Sequence, residues 1–577
     1  MMKLMRYLKG SIIFAIIAPI MMMLEVAMDL MQPTLISKIV DVGIANGDMN
    51  YILATGGKMI LAAVLAVIGG AGCTVFASMA SMSYGANLRQ GVFDKIQTFS
   101  FKELDELKTS SLITRITNDV VQMQNMVLMM LRIMVRSPLL CIGGVIMAVI
   151  LSPKLSIIFV FSMPLLLVFI VYVVNKAFPL FSTVQKRIDR VNTVMRENLL
   201  GVRLIKAFVS HDREKERFSK ANNELTAINI SAQKSTILLW PFLTLVMNFS
   251  TIAVLWFGGI TVINGDMEIG KIIAFVNYLI QILSSLMMVS MLIINVSRAK
   301  ASADRINEVL DTDCSIVEPE NPVEANGLDI EFKNVSFKYY GSEEEPVLSN
   351  ISFKVSYGET VGIIGATGSG KSTLISLILR LYDVTEGAVF IGGQDIKSLQ
   401  HSFIRDSIGV VLQENTLFTG TVEENLLWGD PDAAYDELQR AAMDAQAHEF
   451  VSSMENGYKS MVEQRGKNFS GGQKQRISIA RVLVKNPKIL IMDDSTSALD
   501  MATEARLQQA LKKRMRDATM FIIAQRISSV MDADKIIVLD KGEISAIGSH
   551  NNLIESSSIY RAFVESQLGK EVALNVK

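Results

Sequence analysis

The sequence predicts a multi-domain chain: an all-α polytopic membrane domain of six transmembrane helices with long cytoplasmic extensions, followed by a soluble α/β domain. Three observations carry that prediction. Six apolar runs long enough to cross a bilayer fall before residue 310. From residue 327 onward, strand-like and helix-like runs alternate. Between them, residues 311–326 are rich in Pro, Glu and Asn and read as a linker. The expected boundaries are therefore 1–310, 311–326 and 327–577.

At 577 residues the chain is too long for one core. Half of it is apolar and its mean hydropathy is +0.34, concentrated in the first part. A net charge of −1 gives no electrostatic basis for a nucleic-acid partner, and none is expected. Cys73, Cys141 and Cys314 are too widely spaced for a disulfide framework or a CxxC metal pattern. The start, MMKLMRYLKG, is basic and then apolar. The run after it is too long for a signal peptide and lacks a small-residue cleavage site, so it reads as an uncleaved first span.

The spans are expected near 11–36, 58–82, 125–151, 155–177, 236–262 and 271–296. Lys3, Arg6 and Lys9 precede the first, and the connection 178–235 carries Lys186, Arg187, Arg190, Arg203, Lys206 and Arg213. Connections 41–50, 152–154 and 263–270 are short and poor in basic residues. The bias places both termini in the cytoplasm and the chain, as a multi-pass protein, in the cytoplasmic membrane. Segments 83–124 and 178–235 keep helical spacing, so they should project beyond the bilayer, with tips near 101–109 and 199–208 suited to docking.

Within the spans, Glu25 and Asp29 share one helix face, as do Arg132 and Arg136. An ionised group at the bilayer centre costs about 2.5–3.5 kcal/mol on insertion scales. These four should form an ion-pair network or line a path for cationic substrates. Methionines crowd the first span (Met21, Met22, Met23, Met28, Met31), the third (Met123, Met126, Met129, Met130) and the sixth (Met287, Met288, Met291), as packing or as an adaptable binding surface. Pro33, Pro138, Pro164 and Pro241 are candidate kinks.

In the soluble part, the strand-like ETVGIIG leads into GATGSGKST and then into the helix-like LISLILRL. Strand, glycine-rich loop and helix start make a P-loop, whose backbone N–H groups face phosphates. Gly365, Ala366, Thr367, Gly368, Ser369 and Gly370 form the loop. Lys371 would reach the phosphates and Ser372 would place its hydroxyl on Mg²⁺, with Thr373 continuing the first helical turn. The run KILIMDD is a strand ending in two carboxylates. Asp493 would hold Mg²⁺, and Asp494 stands where a water-activating base belongs. Ser470, Gly471, Gly472 and Gln473 open a helix whose exposed amides suit an anion.

These motifs together resemble an ABC exporter half-transporter, over essentially the whole chain. The resemblance implies ATP and Mg²⁺ as cofactors, Tyr339 as the aromatic on adenine, and Gln413 as the glutamine that touches Mg²⁺. It makes Glu463–Gly466 the segment before the signature, Ser470–Gln473 the signature that meets the partner's ATP, and Ser497–Asp500 the D-loop. Two such subunits sandwich two nucleotides, so a second half-transporter is the implied partner, in a heterodimer or a homodimer.

Two positions depart from the family pattern. The catalytic Glu is Asp494 here, withdrawing the carboxylate by about 1.5 Å. The switch His is Gln525, an amide that cannot become a cation. The chain thus resembles the degenerate-site subunit of heterodimeric bacterial multidrug exporters. Its own site should hydrolyse weakly while its signature serves the partner's competent site. The implied function is ATP-driven export of hydrophobic or amphipathic compounds. A lipid flippase, or an ATP-gated channel or regulator, is the alternative.

Overall fold

The structure is a computed structural model that describes residues 1–339 and 346–568; the side chains at 178, 289–294 and 297, Met291 among them, lie outside that description. Contacts divide the chain into two units. One comprises Met1–Gln97 and Ser110–Thr312, the other Thr98–Thr109 and Asp313–Lys577.

Among the described residues, the membrane unit has six helices long and apolar enough to span a bilayer. The second runs unbroken over Met49–Gln97, and the fourth over Pro153–Leu200. Both extend well past the roughly 20 residues a bilayer needs. Ser152 starts the fourth by accepting the Leu155 N–H at 3.3 Å, with Pro153 in the first turn, where its missing N–H costs nothing. Pro138 and Pro164 stay inside continuous helices. Pro241, by contrast, follows a break at Leu238 between His211–Ile237 and Leu239–Ile263. Having no N–H to give, it leaves the Ile237 carbonyl without its helical partner.

Small residues set the packing between spans. A Cβ on Gly69 would lie 2.8 Å from the Met21 carbonyl oxygen, and one on Gly144 would lie 2.8 Å from Ile282. Backbones approach closely there because no side chain intervenes. Of the four intramembrane charges, Arg136 pairs with Glu25 at 2.8 Å and with Asp29 at 3.2 Å. Among the described residues Arg132 joins no ion pair, and its buried Nε has no hydrogen-bond partner. The ion-pair expectation therefore holds for three residues. At the far end of the third helix, buried Asp119 binds Arg305 and accepts from Ser302 at 2.9 Å.

Each projecting extension turns through a short helix, Phe101–Leu107 in one and Val202–Ala207 in the other. The first groups with the soluble unit. Ser100 and Glu103 form a capping box there, Glu103 also accepts the Ser315 N–H at 3.1 Å, and Asp105 accepts from the Tyr382 hydroxyl.

The soluble unit has a four-stranded sheet, β2-β1-β4-β5, and a six-stranded one, β12-β11-β3-β10-β9-β6. In the first, β1 (Ile330–Phe337) lies antiparallel to β2 (Leu348–Val355) and β4 (Glu386–Ile391), with β5 (Gln394–Asp395) at the edge. In the second, β3 (Thr360–Gly365), β10 (Thr519–Ile523), β9 (Ile489–Asp493), β6 (Ile408–Val411) and β11 (Lys535–Asp540) run parallel. Only the edge strand β12 (Glu543–Gly548) is antiparallel in that sheet. Strands β7 (Gly420–Thr421) and β8 (Met461–Val462) form a separate pair. All five residues of β9 are buried, as expected of a parallel strand covered on both faces.

Candidate functional site

Strand order decides which side chains meet. Because β10 lies between β3 and β9, the residues just beyond its end emerge between the loop after β3 and the acids after β9. The carboxyl ends of parallel strands are where such sheets bind ligands. Here they gather Lys371, Asp493, Asp494 and Gln525.

The loop after β3 closes as a glycine-rich cradle. Gly368 and Gly370 hold φ of +83° and +96°, a region side chains with a Cβ avoid. Gly370 caps the helix Lys371–Ile378, so its first amides face the loop interior. Lys371 Nζ donates to the carbonyls of Gly365 and Ala366, each at 2.8 Å. The hydroxyl of Ser369 is buried without a partner among the described residues. Thr373 meets the Tyr339 hydroxyl at 3.1 Å, and the Tyr339 ring packs edge-on against Phe337 and Tyr382.

Burial pushes the Lys371 ammonium below the ordinary lysine range, opposed by the charges of Asp493 and Asp494. Burial raises Asp493, and the Ser372 hydroxyl lowers it again by hydrogen bonding. Asp494 is likewise raised by burial, against Lys371, Arg526 and the amide of Gln525. Two acids and one lysine thus sit in partly desolvated surroundings, where fields are strong. The donor set fits a nucleotide and its metal. An ammonium resting on carbonyls, free amides and an orphaned hydroxyl suit phosphate, and the Ser372–Asp493 oxygen pair suits a hard cation.

Asp494 has φ of +46°, a conformation uncommon outside glycine. Several bonds impose it. Its N–H donates to the Ile523 carbonyl at 2.8 Å, and its own carbonyl accepts from Ser497 Oγ at 2.9 Å and Gln475 Nε2 at 3.4 Å. Its side-chain Oδ2 accepts from Gln525 Nε2 at 2.9 Å. The two residues that depart from the family pattern therefore bond to each other.

The signature residues stand apart from this cluster. Ser470 and Gln473 form a capping box at the start of the helix Gly471–Val484. Ser470 and Gly471 are exposed, and none of Ser470–Gln473 joins the hydrogen bonds among Lys371, Asp493, Asp494 and Gln525 in the described residues. Gln413 lies just beyond β6, beside the end of β9, and is also exposed.

Sequence reasoning missed two residues. Gln475 is 2% exposed and bridges the Asp494 carbonyl to the Ala498 N–H at 3.3 Å, tying the signature helix to the D-loop. Buried Glu504 accepts from Thr496 and Ser529 and pairs with Arg526 at 3.1 Å. Gln475 lies two residues past the signature and was readable as a polar residue on a mostly apolar helix face; Glu504 carried no local signal.

Comparison with known proteins agrees with this architecture. The family described as ABC transporter transmembrane region matches residues 15–286, and the one described as ABC transporter matches 348–497. The "Uncharacterized ABC transporter ATP-binding protein YfiB" of Bacillus subtilis is 42% identical over 571 residues, 99% of each chain. YgaD of the same species, provisionally named a multidrug export ATP-binding/permease protein, is 34% identical over 477 residues, 82% of each. Among solved structures, a bacterial Atm1-family ABC exporter with ATP bound superposes with a TM-score of 0.81 at 25% identity, covering 97% of this chain and 98% of that one. With six spans, a phosphate cradle, paired acids and a signature helix on one polypeptide, the chain belongs to the ABC transporter family, as an exporter-type half-transporter.

Proposed function

We propose that this half-transporter works as one subunit of a heterodimer that exports hydrophobic or amphipathic compounds across the cytoplasmic membrane, with its own nucleotide site degenerate. The carrying observation is the 2.9 Å hydrogen bond from Gln525 to Asp494. A base must come within about 2.6–3.2 Å of the proton it takes. The Asp494 carboxylate is one methylene short, and one of its oxygens already accepts a hydrogen bond from the Gln525 amide. Misplacement by about 1 Å can cost on the order of 10²-fold.

In this reading Tyr339 stacks on adenine, residues 365–373 hold the phosphates, and Ser372, Gln413 and Asp493 hold Mg²⁺. Bound Mg-ATP supplies the phosphoanhydride whose binding and cleavage drive the cycle. The exposed start of the signature helix, Ser470–Gln473, meets the partner's nucleotide. Lys and Arg placement supports both termini in the cytoplasm. The provisional multidrug-export name of the YgaD relative supports the substrate class.

Lipid translocation is the second reading, favoured by an apolar groove of about 570 Å³ in the membrane unit. Leu155, Phe161, Leu165, Leu245, Phe249 and Phe257 line it, and Lys154 is also in its lining. Hydrolysis by the purified chain alone tests the main reading. Slow turnover that rises in the Asp494→Glu, Gln525→His double variant supports it, and vigorous wild-type turnover blocked by Asp494→Asn overturns it.

A further inference from the structure

Beneath the helix Met501–Arg514 the six-stranded sheet is not fully covered. A cavity of about 250 Å³ runs from the starts of β3 and β10, at Thr360 and Met520, past Met492 and Ile522 to the loop after β9. Ser495 and Thr496 form its inner end. It therefore reaches the back of the loop that carries Asp494, from the opposite edge of the sheet to the cradle.

Three features make it a site rather than a packing gap. Its walls are apolar and adaptable, with Met492, Leu511, Met515 and Met520 among them. At the inner end Ser495 is 2% exposed and its hydroxyl has no hydrogen-bond partner among the described residues. Its neighbours are satisfied, since Thr496 and Ser529 donate to Glu504 at 2.8 and 2.7 Å. A buried polar atom left unpaired is costly, and a ligand that reaches it removes that cost. The third feature is charge. Lys512 and Arg516, both exposed and in no ion pair or hydrogen bond among the described residues, line the cavity against one acid, Asp532.

We propose that this cavity is a second ligand site, separate from the nucleotide cluster, for a small amphipathic organic anion. The apolar body lies against the methionines, the anionic group meets Lys512 and Arg516, and a polar atom bonds Ser495. A cationic amphiphile would face two like charges and one opposite. The occupant touches Ser495 and Thr496, the residues directly after Asp494, so its presence bears on the loop that holds the base. The proposal is independent of the heterodimer reading, because every residue in it belongs to this chain.

The probe is 1-naphthylacetate, with 1-naphthylmethylamine as a cation of the same apolar body, measured by equilibrium dialysis against the full chain in detergent. The expected result is saturable binding of the acid that persists at saturating Mg-ATP, with the amine at least tenfold weaker. Lys512→Gln with Arg516→Gln should weaken the acid tenfold or more and leave Mg-ATP affinity unchanged, which also reports folding. Met515→Trp, which fills the cavity, should abolish binding; if it does not fold, the charge variant still decides. No saturable binding, equal affinity for acid and amine, displacement by ATP, or indifference to the charge variant would each overturn the proposal.

Discussion

The cluster after β3, β9 and β10 and the start of the signature helix stand in contrast. In the cluster, Lys371 rests on loop carbonyls, and Asp494 is held by Ser497, Gln475 and Gln525. The signature start presents exposed Ser470 and Gly471 beyond its own capping box. The two tips of the membrane extensions repeat the contrast. Phe101–Leu107 is tied down through Glu103 and Asp105. Around Val202–Ala207, Leu200, Leu204 and Phe208 are 81%, 62% and 72% exposed. Exposed apolar groups in one patch mark an interaction surface. What the chain finishes internally is the cluster around Asp494; what it leaves exposed are the signature start and the second tip.

The largest expected effect tests the open side. In the assembled transporter, Gly471→Asp should cut turnover on the order of 10²-fold or more, since it sets a carboxylate where backbone donors face charge. Lys371→Ala in this chain should cost less, and the reverse order in an ATPase assay would break the contrast. Next, Asp494→Glu with Gln525→His should raise hydrolysis by the chain alone by roughly tenfold, as the carboxylate regains its reach. No gain would mean that this pair of residues does not limit hydrolysis.

A smaller effect is expected at the free tip. Leu204→Glu with Phe208→Glu should uncouple transport from ATP hydrolysis several-fold while leaving nucleotide binding intact, because burying a charge in an apolar contact is unfavourable. Transport equal to wild type in vesicles would show that the tip docks nowhere. The smallest concerns pH. A base works only when deprotonated, and burial holds Asp494 above the ordinary aspartate range, so its turnover should fall away as pH drops through that raised value. Gln525 opposes that rise. Gln525→Leu should therefore move the acid limb of the pH profile further up, and a downward move would contradict the hydrogen bond.

Much of this was legible in sequence. Six apolar runs, the break near Pro241 and the glycine-rich loop are local signals, each read from a few neighbouring residues. Glu25, Asp29 and Arg136 were legible as groups needing partners, but not that Arg132 would be left out. Which charges pair depends on how helices rotate against one another, and Gly69 and Gly144 set that only once the spans are packed.

The sequence alone determined the two-part architecture, the membrane crossings and the chemistry of each motif, because helical length, hydropathy and loop glycines act over short range. Tertiary structure decided that Gln525 lands on Asp494, that Gln475 joins the signature helix to the D-loop, and that Ser495 ends a cavity with nothing to bond. The first of these follows from strand order, with β10 inserted between β3 and β9. No stretch of neighbouring residues encodes that order, since parallel strands are joined by crossovers and pair with partners far away in the chain.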